Sequence, residues 1–145
     1  MKLQQLSLFL ENRTGRLAAP VRALGAAGIN ILTLTLADTA EFGILRLILP
    51  DASQARKVLE QEGWVVNVAE VVAVDIADRP GGLAEVLTEL EAAQLRIEYM
   101  YAFSLRRGDK AILIFSFEEP DRAIQVLGDA GFAVVDGDEL TRLKT

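Results

Sequence analysis

Apolar and polar residues alternate along residues 3 to 10, where Leu6, Leu8 and Leu10 recur with period two, and again along 71 to 76 through Val72, Val74 and Ile76. Both stretches are predicted strands. Each leads into a segment with helical spacing, with Leu17, Val21 and Leu24 in the first and Leu83, Leu87 and Leu90 in the second at i, i+4 and i+7. Two further strands follow each helix: about 30 to 37 and 43 to 49, joined by Asp38-Thr39-Ala40-Glu41, and about 96 to 105 and 110 to 117, joined around Arg107-Gly108-Asp109. A second helix then begins after Pro50-Asp51-Ala52-Ser53 or Pro120-Asp121. It turns Val58 and Leu59, or Val126 and Leu127, inward and stops at Gly63 or Gly131. Closing strands are predicted near Trp64 to Val68 and Phe132 to Val135.

The two halves are a repeat. At an offset of 66, Asn12-Arg13-Thr14-Gly15-Arg16-Leu17-Ala18 lies over Asp78-Arg79-Pro80-Gly81-Gly82-Leu83-Ala84, and 8 of the 20 positions from Asn12/Asp78 to Ile31/Ile97 are identical. Beyond the second hairpin the offset is 68, pairing Gly63 with Gly131 and Trp64 with Phe132. The order βαββαβ, twice, predicts an α+β protein of two tandem ferredoxin-like units, each an antiparallel sheet with its helices on one face. The boundary falls between residues 68 and 69, giving units 1–68 and 69–145. Units of about 70 residues are marginal alone, so the two are expected to share an interface across the short link around Asn67 to Glu70.

Composition removes several functions. The chain has 145 residues, 51% hydrophobic, enough for a core without staples. Its apolar runs are short, Ala111 to Phe115 for example, so no membrane span is expected. Met1-Lys2-Leu3-Gln4-Gln5 does not read as a secretory leader, and a cytoplasmic location is expected. With no Cys and no His there is no thiolate, no imidazole base and no His- or Cys-dependent metal site. The net charge is −6, and residues 69–145 carry 15 acidic against 8 basic side chains. That balance argues against nucleic acid as a partner.

The repeated loop carries the candidate chemistry. Gly15, and Gly81-Gly82, stand where a helix begins, so its first amides lack internal acceptors and the dipole is positive. A small carboxylate fits such a turn, and Asn12 or Asp78 just ahead supplies an acceptor for an ammonium group. An Asx cap with a glycine relaxing the turn would use the same residues. A βαββαβ unit whose first loop reads Asx-Arg-X-Gly-X-Leu-Ala, followed by Ala27-Gly28-Ile29-Asn30-Ile31 at the entry to the second strand, resembles an ACT domain. The whole chain resembles a stand-alone tandem pair.

That resemblance implies a regulatory module that binds a free amino acid or similar small ligand where two ACT units meet, without catalysis or a cofactor of its own. It implies ligand contacts at Asn12, Arg13, Thr14, Gly15, Leu17 and Asn30 in the first copy and at Asp78, Arg79, Pro80, Gly81, Gly82 and Leu83 in the second. The second copy departs from the pattern with Gln94 and Arg96 where the first has Gly28 and Asn30. Pro20 is compatible with the first helix if it falls in the first turn.

Tyr99, Tyr101 and Phe103 have one parity on their strand, and Leu32, Leu34 and Leu36 have the opposite parity on the matching strand, so one row is expected to face away from the helices. A homodimer is the expected cover for such a row. A partner enzyme of amino-acid metabolism is the alternative, with the chain acting as an interaction subunit. The hairpin Arg106-Arg107-Gly108-Asp109-Lys110 reads as solvated charge, and Glu118-Glu119-Pro120-Asp121 as acid favouring a helix start rather than a metal loop. There is no phosphate-loop motif, and titratable groups do not cluster as an enzyme requires.

Overall fold

The computed structural model describes residues 1–11, 13–38, 41–103 and 108–144, with the backbone alone at Asp38 and Lys144. Asn12, Thr39 and Ala40 of the first copy, and Ser104 to Arg107 at the end of the predicted 96–105 strand and its hairpin, lie outside the described residues. The chain divides into two compact units, Gln4–Ala69 and Met1–Leu3 with Glu70–Thr145.

The first unit runs β1 (Leu3–Glu11), α1 (Ala18–Ala26), β2 (Thr33–Asp38), β3 (Phe42–Ile48) and α2 (Ala52–Gln61). β3 lies between β1 and β2, antiparallel to both, with Leu6 opposite Leu47 and Leu34 opposite Leu47 from the other side. Period two then sorts the side chains. Leu6, Leu8 and Leu10 of β1 and Leu45 and Leu47 of β3 join Leu24 of α1 and Ala55 and Leu59 of α2 in one buried cluster, so both helices cover the same face.

β4 (Val66–Ala77) begins as the closing strand of the first unit, where Val66 joins the buried cluster, and runs on as the opening strand of the second, which continues with α3 (Gly82–Ala92), β5 (Ile97–Ala102), β6 (Lys110–Phe117), α4 (Pro120–Asp129), β7 (Ala133–Val135) and α5 (Gly137–Lys144). The strand order of the second unit is β5-β6-β4-β7, all antiparallel, with Val74 opposite Leu113 on one side and Val134 on the other. Val72, Val74, Ile76, Leu113, Phe115 and Phe117 pack on Val86 and Leu90 of α3 and Ala123 and Leu127 of α4.

Three expectations are corrected. The predicted closing strand 64–68, link 67–70 and opening strand 71–76 form one strand, β4, because Val66 to Ala77 contains no Gly or Pro to interrupt extended backbone. The helix α5 is additional. Asp136 caps it, accepting from the Glu139 amide at 2.8 Å, and Leu140 is fully buried. The inward stripe is also rotated: Pro20 and Leu24, and Gly82, Val86 and Leu90, are the buried helix positions, whereas Leu17 and Leu83 are 40% and 36% exposed. Pro20 is the third residue of α1, inside the first turn.

The two apolar rows fall on opposite faces. Leu34 and Leu36 share the helix side with Leu47 and Leu45, while Tyr101 is opposite Ile114 and Tyr99 opposite Ser116, away from the cluster that the helices cover. An irregularity between Ile97 and Tyr99 sets that phase.

Candidate functional site

Each strand-to-helix loop is closed by the same two backbone bonds. In the first, the Arg16 amide donates to the Arg13 carbonyl and the Ala19 amide to the Gly15 carbonyl, both at 3.2 Å. In the second, Gly82 donates to Arg79 at 2.9 Å and Glu85 to Gly81 at 3.0 Å. Gly15 and Gly81 have φ of +89° and +86°, the left-handed region that a Cβ disfavours, which is why glycine stands there in both copies. The amides of Leu17 and Ala18, or Leu83 and Ala84, lie between these bonds in the first turn, where no residue one turn back within a helix can accept from them.

The side chains differ. Arg13 pairs with Glu11 at 2.7 Å, an acid from the strand before the loop. Arg79 pairs with Glu85 at 2.6 Å, an acid inside the first turn of α3, and its guanidinium also donates to the Pro80 carbonyl at 3.3 Å. All four side chains are about half exposed, so each pair contributes at most ~1 kcal/mol. Their positions matter more than their strength. Glu85 places a negative charge where a ligand carboxylate would compete with it, and the first turn of α1 has no acid.

Thr14 is exposed, as are Leu17 and Leu83 beside the loop glycines and Pro80 at the crest of the second loop. Asp78 is held by its backbone, its amide donating to the Asp109 carbonyl at 2.7 Å, and Asn12 is outside the described residues. Asn30 is exposed but is not brought to Gly15 within its own unit. The nine residues of α1 span roughly 13 Å between them. The register agrees: Thr33 opposite Ile48 sets the start of β2 near the start of β1, while the loop follows the end of β1.

Gly82 has a further reason to be glycine. A Cβ there would lie 1.9 Å from the Ala77 carbonyl oxygen, so α3 starts hard against the end of β4. At the matching position the first copy carries Arg16. Its side chain, with Ala19, Glu62, Gly63 and Trp64, lines a recess of about 270 Å³ between the start of α1 and the end of α2. Sequence reasoning passed over these residues, though a signal existed: Arg16 puts a cation at the positive end of α1, and Glu62 puts an anion at the C-cap of α2, each against its own helix dipole.

Among the described residues there is no group of three acidic side chains that could hold a metal ion, and no helix is long and apolar enough to cross a membrane.

Comparison with known proteins agrees with this architecture. Protein BT0572 from Bacteroides thetaiotaomicron superposes with a TM-score of 0.91 at 36% identity, covering 97% of this chain and 96% of that one. The regulatory subunit of aspartate kinase from Thermus thermophilus, solved without ligand, gives 0.62 at 15% identity over 88% and 91% of the two chains. E. coli aspartokinase III, solved with lysine and aspartate, gives 0.50 at 16% identity, and the match covers 89% of this chain and 31% of that one. No curated protein matches. The ACT domain pair family matches residues 1–144, and with two βαββαβ units and two glycine loops in register, the chain belongs to that family.

Proposed function

We propose that the protein is a non-catalytic regulatory module that binds a free amino acid, with the loop around Gly15 as its principal contact. One observation carries the reading. Gly15 is left-handed with open space where a Cβ would stand, and next to it Leu17 is turned out of the core to 40% exposure. That is the outline of a site taking a carboxylate on the Leu17 and Ala18 amides and a side chain on Leu17. Arg13 and Thr14 rim it, and Asn30 would join only from another copy of the unit. The second loop, around Asp78, Arg79, Pro80, Gly81, Gly82 and Leu83, is the weaker anion site because Glu85 stands in its helix turn.

Thermal unfolding against individual free amino acids, lysine and aspartate among them, tests this. A ligand at about 100 times its dissociation constant adds roughly 2.7 kcal/mol, or roughly 5 to 10 °C for a chain of this size. Absence of any shift at millimolar amino acid would leave the second reading, a cytoplasmic protein-interaction subunit. Its support is the stacked pair Phe9 and Phe42, ring centroids 5.0 Å apart, with Phe9 60% exposed on the face of the first sheet opposite the helices. On that reading the protein forms a homodimer or docks on a partner enzyme through these rings.

A further inference from the structure

We infer that the recess bounded by Arg16, Glu62 and Trp64 in the first unit is a seat for a free α-amino acid, recognised as a zwitterion. The inference rests on the amino-acid reading above and places a ligand among residues that the glycine-loop reading does not use. Two charges frame the recess, and each stands at the wrong end of a helix. Arg16 precedes α1, where the first-turn amides already make the field positive and the turn itself holds no acid. The contact Arg16 makes to Glu11, at 3.8 Å, is beyond hydrogen-bonding distance. Glu62 is the C-cap of α2, whose last turn contains no basic residue, so its carboxylate sits at the negative end of that helix. The neighbouring Glu60 is engaged by Arg56 at 2.9 Å.

Each arrangement is unfavourable for the free protein and favourable for one kind of ligand. A carboxylate at Arg16 meets a guanidinium and the positive end of α1 together. An ammonium at Glu62 meets a carboxylate and the negative end of α2 together. A molecule that carries both charges repays both sites at once, and the α-carbon of an amino acid joins a carboxylate to an ammonium.

The floor is Trp64. It follows the left-handed Gly63, φ +90°, in a helix ending where the Trp64 amide donates to the Leu59 carbonyl at 3.1 Å and the Gly63 amide to Glu60 at 3.0 Å. That turn presses part of the indole on the core and leaves the rest toward the recess. The ligand side chain that suits this floor is apolar or aromatic. About 270 Å³ is below the ~300–1,000 Å³ usual for drug-sized ligands and suits a single amino acid. The second copy has Gly82, Ala130 and Phe132 at the positions of Arg16, Glu62 and Trp64, so it has the aromatic floor without either charge.

Trp64 is the chain's one tryptophan, so its fluorescence reports on this recess alone. Each of the twenty free amino acids is titrated against the intact protein, following Trp64 emission and, in parallel, the melting temperature. The expected result is that an amino acid that raises the melting temperature also changes Trp64 emission over the same concentration range. Its N-acetyl and α-amide derivatives then fail to bind, and Arg16→Gln and Glu62→Gln each weaken binding about tenfold or more while melting at or slightly above the parent without ligand. If the melting temperature rises while Trp64 emission is unmoved and both variants bind as the parent does, the recess is not the seat, and amino-acid binding elsewhere stands. If neither signal responds to any amino acid, both readings fall.

Discussion

In the first unit the residue after the left-handed glycine is Arg16, whose side chain lines a recess. At the same place in the second unit stands Gly82, where a Cβ would come 1.9 Å from the Ala77 carbonyl oxygen. The backbone bonds around the two positions are the same, Arg16 to Arg13 and Gly82 to Arg79, followed by Ala19 to Gly15 and Glu85 to Gly81. Duplication has kept the turn while the side chains on it have diverged. One loop stands off its strand far enough for a long cation and has no acid in its helix turn. The other is pressed on its strand, with Glu85 at its helix start held by Arg79. The lesson is that a repeated motif conserves main-chain geometry, and the chemistry presented to a ligand is decided by the residues between the fixed points.

The largest effect that separates the loops is steric. Gly82→Ala is expected to destabilise the protein by about 3 kcal/mol, because the obstacle is a backbone oxygen that cannot step aside. Arg16→Gly at the matching position is expected to cost about 1 kcal/mol or less. Urea unfolding of both variants checks this, and equal losses would show that the two loops are packed alike after all.

A smaller difference lies at the far end of the same helices. α1 ends with Gly28 at φ +73°, and α3 ends in the same hydrogen-bonded turn with Gln94 at φ +56°. The Leu95 amide donates to Leu90 at 3.0 Å as Ile29 does to Leu24 at 2.9 Å. A side chain in the left-handed region costs roughly 1 kcal/mol, so Gln94→Gly is expected to stabilise by up to about 1 kcal/mol and Gly28→Gln to destabilise by about the same. Melting curves of the two swaps should move in opposite directions.

The smallest effect concerns the second helices. α2 is capped by Asp51, which accepts from the Gln54 amide at 3.1 Å, whereas α4 has no side-chain cap and its first-turn Asp121 meets Lys2 at 3.0 Å. Hydrogen bonds from the Lys2 ammonium to Asp121 and Glu70 raise its pKa above the ordinary 10.5. A pKa raised by folding means a contribution fully present at neutral pH and lost as the pH climbs past 10.5 through the higher folded value. The parent should therefore lose slightly more stability than Lys2→Gln between pH 9 and pH 12, read by chemical denaturation at each pH.

Much of the fold was legible because period two and period 3.6 are local signals, and because the repeat let each copy check the other. The helix stops at Gly63 and Gly131 were read correctly, since a left-handed glycine after a helix leaves its mark at one position. The α5 cap was also written in the chain, as Asp136 with Glu139 three residues on, but a helix of eight residues was hidden by its predicted neighbour β7. Leu17 and Leu83 misled because their spacing matched the helix period while they precede, or begin, the helix. The recess was illegible as a motif: Arg16 and Trp64 are 48 positions apart and meet only when α1 and α2 lie side by side.

The amino-acid sequence by itself determined two βαββαβ units, the left-handed glycines that turn each strand into its helix, and the absence of imidazole and thiol chemistry, because each of these depends on a residue's type and its near neighbours. Tertiary structure alone decided that Gly82 admits no side chain, that Leu17 points outward, and that Arg16 and Glu62 face one hollow over Trp64. Those outcomes depend on how closely a helix settles on its strand and on which helix ends come together, and distances of that kind are set by packing across the fold.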